Sequence, residues 1–192
     1  GPAAASATLD FVGSDDLAGA SAMTRLLLEK GHRKIGIING GFSVSSGRDR
    51  FRGFQLAMEE AGIPIGAQYP YRFEGDFSTD TGYLGLHKLL SAGDRPTAVL
   101  TMNDSITIGA LKYCRENGVD IPEELSLVAY GEIDNADLFT VSPTCMMFSP
   151  NNIGRRAAQC LFDRIGSPSR PSREIIFASA LVEGNSVKAL RQ

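Results

Sequence analysis

The sequence predicts an α/β protein built on a parallel sheet flanked by helices. Short apolar runs typical of buried strands alternate with longer stretches whose apolar residues recur at helical spacing. Glycines stop several of the helical stretches, at Gly31, Gly62, Gly118 and Gly166. Strand and helix therefore alternate through the middle of the chain. That alternation is typical of a parallel sheet, because the crossover between two parallel strands is usually a helix.

The strand-like segments are apolar or alternate in polarity, and residues that favour turns separate them. They cover residues 8–13, 34–38, 69–74, 98–102, 125–130, 144–148 and 174–177. Helices are predicted after the first four of these segments and after the sixth. The apolar residues that define the helices are, in chain order, Met23, Leu26 and Leu27; Phe51, Phe54, Met58 and Ala61; Tyr83, Leu86, Leu89 and Leu90; Ile108, Leu111 and Cys114; and Ile153, Ala157, Cys160, Leu161 and Ile165.

Composition and charge exclude several classes of function. The chain has 192 residues, 43% of them hydrophobic, which is enough for one sizeable core. Its formal net charge is −3 and its pI is about 5.4, so we do not expect it to bind DNA or an anionic membrane surface by itself. No apolar run approaches the roughly 18 residues of a membrane span. Residues 1–7 lack the features of a signal peptide, and we interpret them as a cloning scar or a linker.

Cysteine and histidine usage argues against a metal site and favours a reducing compartment such as the cytoplasm. The three cysteines, Cys114, Cys145 and Cys160, form no close pair, and the first and last fall on apolar helix faces, which indicates buried free thiols. The two histidines, His32 and His87, are far apart in sequence. The chain also lacks G-x-G-x-x-G, Walker and G-x-S-x-G motifs. We therefore expect no metal, no cofactor and no enzymatic activity.

Polar side chains follow the predicted strands, where an open parallel sheet binds its ligands. Asn103 and Asp104 come directly after the apolar run that ends at Met102. An asparagine offers both a donor and an acceptor to a hydroxyl or amide ligand, and an aspartate can cap the helix that follows. The alternative is that both residues only cap this turn, because Asn and Asp are common caps.

The other strand-end loops contribute a hydroxyl-rich rim with one aromatic ring. Ser46 and Arg50 follow one strand, Phe77 follows another, and Glu132 lies in the exit loop from Tyr130 to Asp134. Aromatic faces pack on the apolar faces of sugars and bases, while polar and charged groups bind their hydroxyls. The alternatives are that Arg50 belongs to an exposed basic helix face and that Phe77 is a core residue.

Several ordered motifs carry a family resemblance. They are Gly31-His32-Arg33-Lys34-Ile35 (G-H-R-x-I), Arg50-Phe51-Arg52-Gly53-Phe54 (R-x-x-G-[FY]), Pro96-Thr97-Ala98 with Asn103-Asp104 and Gly109-Ala110 (P-T-A…N-D…G-A), Ile121 to Val128 (V-P-x-D-I-S-V-V), and Asp15-Asp16 with Gly19 (D-N-x-x-G). In order and spacing, over residues 10–166, this set resembles the effector-binding domain of the LacI/GalR family of bacterial transcription regulators.

The resemblance implies a fold of the periplasmic-binding-protein-like type I, in which two α/β lobes close on a small ligand. Residues 32–148 and 173–192 would form the C-terminal lobe, so the chain is mainly that lobe. Residues 8–31 and 149–172 would be pieces of the N-terminal lobe. The helix-turn-helix headpiece of the family is not among these residues, so DNA binding is expected only through a missing N-terminal headpiece.

The resemblance also implies a set of ligand contacts. By motif position they are Arg50, Asn103, Phe77 and, from the other lobe, Asp15 or Asp16. Asp104 ranks second, because in the family this residue tends to support the loop. The family usually has G-[FY]-D-D where this chain reads Ala129-Tyr130-Gly131-Glu132. Gly131 thus replaces the first aspartate, and Glu132 would substitute for it.

We therefore expect an effector-sensing and dimerisation domain of a LacI-type regulator that binds a sugar or sugar derivative. The homodimer surfaces implied by the resemblance are the helix that starts near Arg48 and the helix that starts at Ser78. The alternative is a solute-binding protein of a sugar transporter, which shares the fold without the DNA role.

Overall fold

The computed structural model of the protein describes residues 9–133 and 140–190. The predicted scar or linker at residues 1–7 and the end of the exit loop at Asp134 lie outside the described residues. The strands are β1 (Phe11–Ser14), β2 (Ile35–Asn39), β3 (Arg72–Glu74), β4 (Ala98–Thr101), β5 (Ser126–Tyr130), β6 (Thr144–Met147), β7 (Glu174–Phe177) and β8 (Ala180–Val182). The helices are α1 (Asp16–Glu29), α2 (Ser45–Glu60), α3 (Thr79–Ser91), α4 (Asp104–Asn117) and α5 (Pro150–Gly166).

The chain divides into two compact units. The described part of the larger unit is residues 16–133, 140–147 and 180–190, and the smaller unit contains residues 9–15 and 148–179. The larger unit holds α1, which belongs to the segment 8–31 that the resemblance assigns to the N-terminal lobe. The smaller unit holds β7, which belongs to the segment 173–192 that the resemblance assigns to the C-terminal lobe. The assignment of the units to the two lobes of the family stays a prediction.

The larger unit is a six-stranded sheet in the order β3-β2-β4-β5-β6-β8. All neighbouring strands are parallel except β6 and β8, which are antiparallel. Every residue of β2, β4 and β5 is buried, as expected for central strands of a covered parallel sheet. The predicted fold class, a parallel sheet flanked by helices, is therefore confirmed.

The helices of the larger unit pack in two close pairs, α1 with α2 and α3 with α4. Glycines make both approaches possible. A Cβ atom at Gly53 would lie 2.2 Å from the Leu17 carbonyl oxygen, and one at Gly109 would lie 1.9 Å from the Thr79 carbonyl oxygen. These contacts give a packing role to the glycines of the R-x-x-G and G-A motifs.

The smaller unit is a two-stranded parallel sheet of β1 and β7 with α5 packed on β1. Asp10 stabilises it by accepting hydrogen bonds from the Arg164 Nη2 atom at 2.9 Å and the backbone N–H of Arg173 at 2.9 Å. Hydrogen bonds from Arg164 and Arg173 hold the pKa of Asp10 well below its usual range. The charge of Asp10 is therefore integral to this unit.

Two predicted helix faces are wrong in detail. The buried face of α4 contains Ile106, Ala110 and Tyr113, whereas Ile108 is 39% exposed. The contact of Gly109 with α3 sets this rotation of the helix. In α5 only Cys160 is buried, because the described part of the smaller unit offers a single pair of strands to cover. The predicted burial of the thiols of Cys114 and Cys160 is confirmed. Among the described residues, none of the helices is both long enough and apolar enough to cross a membrane.

Candidate ligand-binding site

The loops that follow β3, β2, β4 and β5 lie side by side at one edge of the larger sheet. These four strands are adjacent and parallel, so their carboxyl ends meet at that edge. The predicted contacts Phe77 and Asn103 and the predicted substitute Glu132 come from three of these loops. Ser46 and Arg50 come from the first two turns of α2, which follows β2.

Arg50 lies inside the site and is almost fully buried, with 8% of its surface exposed. Its Nε and Nη2 atoms donate to one carboxylate oxygen of Asp16, at 3.1 and 3.0 Å. Its Nη1 atom donates to the carbonyl oxygen of Met102. The guanidinium carbon lies 3.9 Å from the centroid of the Tyr130 ring, within cation–π range. Arg50 therefore joins α1, the end of β4 and the end of β5.

Asp16 is the first residue of α1 and lies in the same unit as Arg50. The resemblance implies that Asp15 or Asp16 faces the ligand from the other lobe, and this implication stays a prediction. Only 15% of the Asp16 side chain is exposed. Asp15 lies in the smaller unit, where its backbone N–H donates to the carbonyl oxygen of Phe177 at 3.1 Å.

Asn103 connects two of the strand-end loops. Its side-chain oxygen accepts from the backbone N–H of Ile106 at 2.8 Å, so Asn103 is the N-cap of α4. Its amide nitrogen donates to the carbonyl oxygen of Phe77 at 3.2 Å. The capping role proposed for Asp104 thus belongs to Asn103, and Asp104 is an exposed residue of the first helical turn.

Phe77 lies directly over the backbone at the end of β2. A Cβ atom at Gly40 would lie 2.3 Å from the Phe77 ring, so only glycine fits beneath it. The ring is half-buried and also packs against the hydrophobic core of the unit. The core alternative for Phe77 is therefore partly correct, and the ring still forms a half-exposed apolar surface.

The turn that carries Phe77 is held by a neighbouring carboxylate. The Oδ1 atom of Asp76 accepts hydrogen bonds from the hydroxyl of Ser78 and, at 2.6 Å, from the hydroxyl of Thr81. These bonds lower the pKa of Asp76 from its ordinary value, because they favour the ionised carboxylate. Asp76 therefore adds a negative charge to this edge of the sheet.

Ser46 and Glu132 lie at the ends of two further strands. Ser46 is half-buried in the first turn of α2, whose N-cap residue, Val44, gives no side-chain hydrogen bond. Glu132 is exposed and follows Gly131, whose φ of 97° is in the left-handed region that favours glycine. The structure thus brings Arg50, Asp16, Asn103 and Phe77 together through contacts with strand-end residues, while Ser46, Asp104 and Glu132 occupy the neighbouring loop ends.

Two residues of the site were missed from the sequence. Tyr130 supplies the ring that Arg50 covers, and Asn39, fully buried at the end of β2, donates to the Gly47 carbonyl oxygen at 2.9 Å. Asn39 thereby fixes the start of α2 relative to the sheet. The available signal was its place directly after the predicted strand 34–38, since a polar residue at the end of a buried strand needs a partner.

Comparison with known proteins assigns the family. Residues 24–187 match the family described as periplasmic binding protein-like domain. The chain is 35% identical over 178 residues to the HTH-type transcriptional repressor PurR of Serratia proteamaculans. The matched residues make up 93% of this chain and 52% of that protein. The chain therefore spans about half the length of the curated relatives it matches.

Solved structures agree with this match. A LacI transcriptional regulator of Bacillus cereus shares the fold, with a TM-score of 0.91 over 100% of this chain and 67% of that chain at 22% identity. A LacI family regulator of Enterococcus faecium with bound ribose gives a TM-score of 0.85 at 26% identity, over 95% of this chain and 66% of that chain. The chain belongs to the periplasmic binding protein-like domain family and is, within it, an effector-binding domain of the LacI/GalR type.

Proposed function

We propose that this chain is the effector-sensing part of a cytoplasmic transcription regulator and that it binds a sugar or sugar derivative at the strand-end site. The observation that carries the proposal is the convergence of Phe77, Asn103, Asp16 and Arg50 at the carboxyl ends of adjacent parallel strands. A half-exposed ring beside hydroxyl-binding groups suits a sugar. The matched relatives are transcriptional repressors, which favours a regulator over a transport protein and over an enzyme.

The proposed mechanism is a ligand-dependent switch without a chemical step. A ligand shifts a conformational equilibrium only if it binds one state better than the other. The effector would favour one arrangement of the regulator and so change its affinity for an operator. DNA would be bound through a helix-turn-helix headpiece outside these residues, because the formal net charge of this chain is −3.

The proposed homodimer uses the faces of α3 and α4. Leu84 on α3 is 55% exposed and Ile108 on α4 is 39% exposed. Ile108 also lines a groove of about 590 Å³ together with Leu111 and Val141. The exposed residues of α2, the other expected dimer helix, include charged ones such as Arg52, as do those of α3 and α4, so the choice of α3 and α4 rests on their exposed apolar residues. Exposed apolar patches of this kind are typical of protein interfaces.

The binding proposal is tested by titrating neutral sugars, including ribose, into the protein at its natural length. The variant Phe77→Leu keeps apolar bulk over Gly40 and removes the aromatic face. We expect its affinity for the best-binding sugar to fall about tenfold with little change in thermal stability. The matched control is Phe73→Leu on β3, which should retain the affinity. Equal affinity of Phe77→Leu and the unmodified protein would contradict the site.

The dimer proposal is tested by the oligomeric state. The double variant Leu84→Glu and Ile108→Glu places charges on the proposed interface and should be monomeric in analytical ultracentrifugation. Arg52→Glu on α2 is the matched control and should remain dimeric. A dimer that tolerates the double variant would contradict this choice of surface.

A further inference from the structure

The charge of Arg50 is already balanced inside the site. Both of its hydrogen bonds to Asp16 go to one carboxylate oxygen, and both side chains are buried, with 10% and 15% exposed. A third hydrogen bond goes to the carbonyl oxygen of Met102. An anionic ligand that took Arg50 as its counter-ion would have to compete with the carboxylate of Asp16 for the same guanidinium group.

The rim around this pair is acidic. Asp76, Asp104 and Glu132 follow β3, β4 and β5, whose carboxyl ends lie at the same edge of the sheet. Arg48 is the cation of the rim that comes from α2, and it is exposed and donates to the carbonyl oxygen of Phe42 at 2.7 Å. Among the described residues, a ligand with a phosphate or carboxylate group therefore approaches more carboxylates than guanidinium groups at this edge. The carboxylates repel it at short range.

The remaining binding groups suit a neutral ligand. The ring of Phe77 offers an apolar face, and the carboxylates accept hydrogen bonds from hydroxyl groups. The amino terminus of α2 has no side-chain cap, and its first backbone N–H groups can donate to hydroxyl oxygens. Those N–H groups would also accept an anion, so a direct comparison of neutral and anionic ligands is needed.

We propose that the site takes an electrically neutral, hydroxyl-bearing ligand and discriminates against the phosphorylated or carboxylated form of the same molecule. This inference rests on the proposed function, because it specifies the ligand of that same site. It goes beyond the identification of a sugar-like effector by stating the charge that the effector carries.

The test uses isothermal titration of the protein at its natural length with matched pairs at low ionic strength. The probes are ribose with ribose 5-phosphate, glucose with glucose 6-phosphate, glucose with glucuronate, and adenosine with adenosine monophosphate. Wherever a pair binds, we expect the neutral member to bind at least about tenfold more tightly. Tighter binding of the anionic members would overturn the inference and leave the proposed regulator standing. Binding of no probe would overturn both.

A charge-removing double variant separates electrostatics from shape. Asp104→Asn with Glu132→Gln removes two rim carboxylates, so the preference for the neutral member of a pair should become smaller. The matched control is Glu29→Gln with Glu59→Gln, which also removes two negative charges, but at the far ends of α1 and α2. The control should keep the preference of the unmodified protein. An unchanged preference in the rim variant would mean that shape, and not charge, excludes the anions, and would overturn the inference.

Discussion

The buried pair of Asp16 and Arg50 gives the sharpest prediction about stability. Within the described part of the chain, Asp16→Ala leaves Arg50 as a buried cation whose remaining partners are the Met102 carbonyl and the Tyr130 ring. Removing one member of a buried ion pair costs about 3–5 kcal/mol. Since 10% and 15% of the two side chains remain exposed, we expect the lower end, about 3 kcal/mol.

Urea denaturation followed by far-UV circular dichroism measures this loss. With a slope of about 2 kcal/mol per molar urea, the midpoint should fall by about 1.5 M. The surface pair of Arg25 and Glu60 is the matched control, because these side chains are 51% and 59% exposed. Arg25→Ala should cost at most about 1 kcal/mol.

A double variant tests the physical cause of the loss. Asp16→Ala combined with Arg50→Met removes the unpaired charge and should recover about half of the lost stability. The reasoning would be refuted if the double variant were less stable than Asp16→Ala alone. It would also be refuted if Asp16→Ala lost no more stability than Arg25→Ala.

Three further predictions concern packing and pH. Gly109→Ala places a Cβ atom 1.9 Å from a carbonyl oxygen of α3 and should lower the free energy of unfolding by about 3 kcal/mol in urea denaturation. In the control, Gly154→Ala, nothing lies within 4 Å of the added Cβ atom, so the substitution should stabilise α5 by about 0.5–1 kcal/mol. Equal effects of the two substitutions would contradict the close approach of α3 and α4. Because two arginines lower the pKa of Asp10, its stabilising contribution is present at neutral pH and is lost as the pH falls below about 4, so Asp10→Asn should flatten the acid limb of the thermal midpoint against pH. Burial lowers the pKa of His32, so its protonation opposes folding and the stability should fall as the pH drops below about 6.5. His32→Gln should remove this dependence of stability on pH. The control variant His87→Gln, at an exposed position, should leave the dependence unchanged.

The fully buried strands could be predicted from their composition. β4 and β5 are continuous apolar runs because both of their faces are covered, and the sequence pattern locates them within two residues. β8, by contrast, was missed. It has three residues and owes its structure to antiparallel pairing with β6, which local sequence does not encode.

The helix faces show where periodicity is insufficient. In α4 the residues Ile108, Leu111 and Cys114 have helical spacing, but so do Ile106, Ala110 and Tyr113. The second set is buried throughout, whereas in the first set only Cys114 is buried. The choice between them depends on how closely α3 approaches, which is a tertiary property. The strand-end position of the site followed from the order of strands and helices alone.

The bonding inside the site could not be predicted from the sequence. Asp16 and Arg50 are separated by 34 residues and meet only because α1 and α2 pack together at Gly53. The same contact turns Arg50 away from the rim and into the unit. Asn103 was predicted as either a ligand contact or a cap, and its capping bonds occupy its side chain in this structure. Its contact with a ligand stays a prediction.

The central claim is that a small effector binds at the carboxyl ends of the strands of the larger unit. Amide hydrogen exchange of the protein, with and without the sugar that binds best in the titrations, tests this claim most directly. The account predicts added protection in residues 40–47, 75–78 and 102–106. Protection confined to α5 or to the exposed faces of α3 and α4, with none in these three loops, would contradict it.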